Sequence, residues 1–224
     1  MSCYFSKAVL VHCVCVSFLI STAFSAGQGG GEDDGAANAK RLLSDQLSER
    51  SQAVKELASL HRGTSRALLV TLSEAKARFR ADRRYHSPLH VAILAVDRWN
   101  VLQADTILLS IVDYSLDLAT YPQGVSSPGD YFFPAASALV RLRVDLNKVE
   151  ERIRATENII TLRMLTWIVL KRTGSVENAV LRLSSAGKTS NSVAEKRKFE
   201  RAAELLDDHT RLIPLPPRVV PPNE

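Results

Sequence analysis

His86 and His90 stand four residues apart, the spacing at which two imidazoles on one helix face can hold one metal ion. With Asp97 they are the chain's best candidates for metal-dependent or acid–base chemistry. Ser87 and Pro88 read as an N-cap and first-turn pair, which leaves His86 ahead of the helix that carries His90. No third ligand follows at a suitable spacing, so no metal site and no cofactor are expected. Gly187-Lys188-Thr189-Ser190 imitates the second half of a phosphate-binding loop, but the first glycine of that motif falls on Arg182 and no strand precedes it. The frequent serines include no Gly-x-Ser-x-Gly elbow, the commonest serine hydrolase signal. Glu150-Glu151 and Asp207-Asp208 are adjacent pairs, and helix neighbours point about 100° apart, so each pair reads as a solvated face rather than a catalytic dyad. The basic cluster Lys76, Arg78, Arg80, Arg83 and Arg84 could meet phosphate or an anionic envelope surface. Asp82 interrupts it and only Phe79 and Tyr85 offer stacking rings, so nucleic acid is not an expected partner.

The elements that would position these groups are helical. From residue 38 to residue 208 the dominant apolar period is 3.6 and strand-like alternation is almost missing, which predicts an all-α fold. A segment over 38–47 leads into a helix over 51–60 with Val54, Leu57 and Leu60 in register; Gly63 ends it and Thr64 caps the next. That next helix, over 65–80, aligns Leu68, Leu69, Leu72, Ala75 and Phe79 on one face. Further helices are predicted from 87 to 99 and from 103 to 114, the latter burying Ile107, Leu108, Ile111 and Val112. Pro134 opens another, with Ala138, Leu139 and Leu142 inward and Leu146, Val149 and Ile153 continuing the stripe unless Asp145 breaks it. Nine of the twelve residues from 159 to 170 are apolar, so the helix over 158–172, with Trp167, should be the most buried. Gly174 stops it, Ser175 caps a short helix to Leu183, residues 184–192 read as a polar linker, and a last amphipathic helix covers 193–208 with Phe199, Ala202, Leu205 and Leu206 inward.

Residues 115–130 form the one long irregular stretch, broken by Pro122, Gly124, Pro128 and Gly129. Connections this long are uncommon in compact helical domains and are often functional. Tyr114, Tyr121, Tyr131 and Phe132 flank or enter it and are the candidate partner-binding residues; the competing reading is that these rings simply pin the loop to the helices.

The chain's ends say where it works. Lys7, an apolar run from Ala8 to Ile20 and small residues beyond it make residues 1–25 a signal peptide, with cleavage after Ala23 or Ser25 leaving small residues at both recognised positions. The rival is an uncleaved membrane anchor, since no charged residue occurs from Ala8 to Ala26. All three cysteines, Cys3, Cys13 and Cys15, lie in the leader, so the mature chain has neither a disulfide framework nor a thiolate metal site. Removing Lys7 with the leader lowers the net charge of +5 by one, leaving a mild basic excess. Residues 26–37, rich in Gly and acid, read as a flexible linker, and the Pro-rich tail over 209–224 as an extended, polyproline-like segment.

Helical hairpins recur with self-similarity. Ala53-Val54-Lys55-Glu56-Leu57-Ala58-Ser59-Leu60, a turn, then Arg66-Ala67-Leu68-Leu69 lies over Ala92-Ile93-Leu94-Ala95-Val96-Asp97-Arg98-Trp99, a turn, then Asp105-Thr106-Ile107-Leu108-Leu109. A second shift brings Ala138, Leu139 and Leu142 onto Ala95, Val96 and Trp99. Over residues 53–183 the chain thus resembles HEAT-like and armadillo-like helical repeats of exported bacterial proteins. The resemblance implies stacked antiparallel hairpins in a short α-solenoid, with an irregular helical bundle as the alternative. It implies a macromolecule bound on one face and brings no catalytic residues with it. The expectation is an exported, periplasmic or extracellular scaffold whose partner is another protein. The alternative is an enzyme or metal-dependent protein using His86 and His90 or the 115–130 loop. Membrane attachment is expected only if the N-terminal segment stays uncleaved.

Overall fold

The computed structural model describes residues 32–59, 64–82, 85–115 and 133–207. Every regular element among them is helical: α1 Glu32–Arg41, α2 Leu47–Ser59, α3 Thr64–Ala81, α4 His86–Arg98, α5 Asp105–Leu109, α6 Pro134–Arg141, α7 Leu146–Ala155, α8 Ile159–Thr173, α9 Val176–Lys188 and α10 Val193–Glu204. The all-α expectation holds. The described residues fall into two compact units, divided between Ile111 and Val112.

In the first unit, α1 packs against both α2 and α3, and α3 packs against α4. Helix α1 begins inside the stretch read as a flexible linker. Its buried anchors explain why: Ala39, Leu42 and Leu43 are 0%, 0% and 3% exposed. Burial of this apolar end outweighs the poor helix propensity of the Gly and acidic residues upstream. Leu68, Leu72, Ala75 and Phe79 form the buried stripe of α3, as their spacing requires. Helix α4 starts at His86, ahead of the Ser87-Pro88 cap read from sequence, and Tyr85 at its N-cap makes no side-chain capping bond. Pro88 still lies in the first turn, where a missing N–H costs nothing. The helix expected over 103–114 is shorter and broken: a 3-10 turn, Leu102–Ala104, runs into five-residue α5, and turns follow. The two segments laid over each other in the repeat alignment therefore lie in helices of unequal length, α3 with 18 residues and α5 with five.

In the second unit, α8 packs against α6, α7, α9 and α10, the central position its apolar content predicts. Met164, Leu165, Ile168 and Val169 are all 0% exposed. Trp167 is only half-buried, with the Lys171 ammonium 6.0 Å from its ring centroid, so it is not the core anchor its size suggested. Asn158 Oδ1 accepts from the backbone N–H of Ile160 and Thr161 to start α8, and Gly174 ends it at φ 81°, a left-handed C-cap. Asp145 does break the preceding stripe, as N-cap of α7. The largest departure is α9, which continues to Lys188 through the residues read as a polar linker. Ala186 and Gly187 are buried there. A Cβ added at Gly187 would stand 3.2 Å from the Phe199 Cβ, so α9 and α10 approach each other through the missing side chain. Phe199 is 1% exposed and lies beneath the Arg154 guanidinium, 5.2 Å from its centroid. Among the described residues no helix is long and apolar enough to cross a membrane.

Candidate functional site

Both histidines lie on α4, His86 exposed at its first residue and His90 one turn on, largely withdrawn from solvent. Burial, and secondarily the neighbouring His86, lower the His90 pKa to about 4, so it is neutral at ordinary pH. Among the described residues no three His, Cys, Asp or Glu side chains converge as a metal-binding group would require.

Lys188 ends α9, and the backbone N–H of Thr189 folds back onto the carbonyls of Gly187 and Ser185. The Gly-Lys-Thr-Ser sequence thus sits at a helix C-terminus, where carbonyl dipoles repel phosphate. A phosphate loop needs the opposite end. In the basic cluster, Arg78 Nη2 bonds Glu74 Oε1 at 2.5 Å and its guanidinium lies 5.9 Å from the Tyr85 ring centroid. Burial, then the nearby Arg80, lower the Lys76 pKa. Arg83 and Arg84 lie outside the described residues. Glu150 corrects the reading of its acidic pair as solvated: it is 8% exposed, and Arg182 Nε donates to its Oε1 at 2.6 Å. Arg182 Nη2 donates to Asn147 Oδ1 at 2.9 Å, so the arginine ties α9 to α7. Glu151 is exposed as expected.

Tyr114 is buried, 5% exposed, and burial pushes its phenol pKa up. It acts as a core ring here rather than as an exposed contact. Beside it Asp113 Oδ2 accepts from Thr161 Oγ1 at 3.0 Å, which ties the segment before the long loop to α8. Tyr121, Tyr131, Phe132 and residues 116–130 of the loop lie outside the described residues.

Two clefts open on the second unit. The first, of about 380 Å³, lies over the close α9–α10 crossing and is lined by Leu183, Gly187, Lys188, Lys196, Phe199 and Glu200, with Ser184. The second, of about 280 Å³, lies between the start of α8 and the outer face of α10. Ile159 and Leu162 line one side together with Thr156, Glu157 and Asn158, and Ala194, Arg197 and Arg201 line the facing wall. Lys198, also in the wall, is already neutralised, with its Nζ 2.5 Å from Glu157 Oε1 and 2.7 Å from the Arg154 carbonyl. Arg154 in turn reaches Glu195 at 3.9 Å. Arg197 and Arg201 make no ion pair among the described residues and are exposed. Sequence reasoning missed this site because its walls are brought together from residues some forty apart; the i, i+4 arginines on one helix face were its only legible mark.

The arrangement defines an all-helical protein with open apolar and cationic surface grooves. Comparison with protein-family models, with curated proteins and with solved structures finds no match for the chain.

Proposed function

We propose that the chain is an exported, non-catalytic protein-interaction module whose helices stack as HEAT-like hairpins. The observation that carries this reading is the set of large apolar side chains on the surface. Val70, Leu102, Ile159, Ile160, Leu181 and Val193 are between 36% and 68% exposed; Ile159, Ile160 and Val193 lie in the first turns of α8 and α10, and Ile159 lines a cleft with Arg197 and Arg201. Apolar surface rimmed by polar groups marks sites for other macromolecules. Both clefts on the second unit are open, and the smaller falls just below the usual size of a small-molecule pocket, about 300–1,000 Å³. The packing of α3 on α4, α7 on α8 and α9 on α10 supports hairpin stacking, since consecutive helices lie against each other. The charged N-terminus, apolar run and small residues of the leader support export, with the partner, another protein, outside the cytoplasm.

Two measurements test it. N-terminal mass spectrometry of the chain recovered from the envelope or medium should find it beginning just after Ala23 or Ser25; an intact leader on cell-internal protein would overturn export. Affinity capture with residues 26–224, alongside a version lacking residues 115–130, should retain a stoichiometric protein partner. Capture of none by either version would overturn the interaction reading.

A further inference from the structure

Helix α10 holds Arg197 and Arg201 one turn apart on one face, facing the cleft at the start of α8. Like charges at this spacing repel by about 0.2–0.5 kcal/mol, and neither arginine forms an ion pair with a carboxylate among the described residues. The contrast with their neighbours is informative. Lys198 and Arg154 are each answered within the unit, by Glu157 and Glu195, so the cationic character of this wall is not a general lack of acids. Of the three cations that line the opening, Arg197 and Arg201 are the two left without an ion pair among the described residues.

Opposite them Ile159 and Leu162 form an apolar part of the lining, beside Thr156, Asn158 and the carboxylate of Glu157, which is taken up by Lys198. Leu162 is 5% exposed and forms its inner part, Ile159 is 36% exposed at its lip, and Ile160 and Val193, 43% and 67% exposed, lie in the first turns of the same two helices. The N-terminal N–H groups of α8 are not the attracting feature, because Asn158 Oδ1 already accepts from two of them. What the groove presents is a small apolar shelf, Ile159 and Leu162, beside a pair of guanidinium forks, with the Lys198–Glu157 pair at its edge. Guanidinium recognises carboxylate by paired, planar hydrogen bonds, and the shelf has room for one or two aliphatic side chains.

We propose that this groove docks an acidic peptide segment of a partner protein, with carboxylates on Arg197 and Arg201 and a neighbouring aliphatic side chain on Ile159 and Leu162. This deepens the interaction reading above and rests on it. The two parts of the groove make separable demands. The arginines require negative charge, and the shelf requires an apolar residue next to it. A phosphate polymer or an anionic membrane satisfies only the first.

The test uses the mature full chain and three fluorescent probes: a peptide repeating two acidic residues and one leucine, the same peptide with serine for leucine, and an oligothymidine. Anisotropy titrations should show the leucine peptide binding about tenfold tighter than the serine peptide, the equivalent of about 1.4 kcal/mol. Arg197→Glu with Arg201→Glu should abolish that binding, Ile159→Ser should weaken it towards the serine level, and Lys188→Ala, at the other cleft, should leave it unchanged. All four positions are at least a third exposed, so circular dichroism should report intact folds. Binding of the leucine peptide no tighter than that of the serine peptide and the oligothymidine overturns the proposal in favour of a general anion surface. Undiminished leucine-peptide binding by the doubly reversed chain, or none by the native chain, also overturns it. A protein captured from envelope extract equally by the native and doubly reversed chains would reject this groove while leaving the interaction reading in place; no capture by either rejects both.

Discussion

Arg182 and Glu150 join α9 to α7 across a contact that is sealed on one side only. The Glu150 side chain is 11% exposed and that of Arg182 is 37%. Arg182→Leu leaves the carboxylate in its recess without a cation, and Asn147, which is exposed, turns to water. Breaking a buried pair costs about 3–5 kcal/mol and losing an exposed one about 0.2–1, so a pair with one open end should cost about 2 kcal/mol. Glu150→Met alone leaves an arginine that can reach solvent, for about 1 kcal/mol. Removing both charges, with Arg182→Leu and Glu150→Met, substitutes apolar contact for the pair and should fall within about 1 kcal/mol of the native chain. The two changes are therefore non-additive, with a coupling of about 2 kcal/mol. The assay is urea unfolding in a Trp99→Phe background, where Trp167, on α8 of the same unit, is the remaining tryptophan. If the double variant loses the sum of the single losses, Glu150 and Arg182 act independently and the tie between α7 and α9 is not what holds them.

Three further outcomes follow from the packing. His90 has a folded-state pKa near 4, below its ordinary 6.5, so the unfolded chain takes up the proton first. Stability should fall as pH drops from 6.5 towards 4, by at most about 3 kcal/mol; a His90→Gln chain should lack that part of the slope, and parallel urea-midpoint profiles for the two chains between pH 7 and 5 would refute it. Gly187→Ala should destabilise by about 1–2 kcal/mol despite alanine's better helix propensity, because its Cβ meets Phe199 at 3.2 Å; a gain in midpoint would mean α9 and α10 can slide apart. Gly174→Ala, where nothing lies within 4 Å, should cost about 1 kcal/mol from the left-handed backbone alone, read from the same urea transition.

Much of the secondary structure was legible in the chain because caps and periods are local. Asn158 and Ser175 carry the signal for the helix starts they cap, and Gly174 for the stop between them. The misread boundaries share a cause. Helix α1 enters a Gly-rich acidic stretch, and α9 runs on through residues 184–188, because buried residues at or near their ends, Ala39, Leu42, Ala186 and Gly187, find partners on other helices. Trp167 was misjudged for the same reason: size predicts burial on average, but which face of α8 meets four neighbours is a matter of packing.

What the sequence determined by itself is the helical class, the caps, and the poverty of the motifs for metal, phosphate and nucleophilic chemistry. Each depends on residues within about one or two turns of each other, where spacing alone carries the physics. Only the tertiary structure decided that Glu150 is a buried ion-pair partner, that Gly187 is the contact point of two helices, and that Ile159 faces Arg197 and Arg201 across a groove. Those depend on chain segments from twelve to about forty residues apart being brought together, and apolar burial, which drives that assembly, is blind to spacing along the chain.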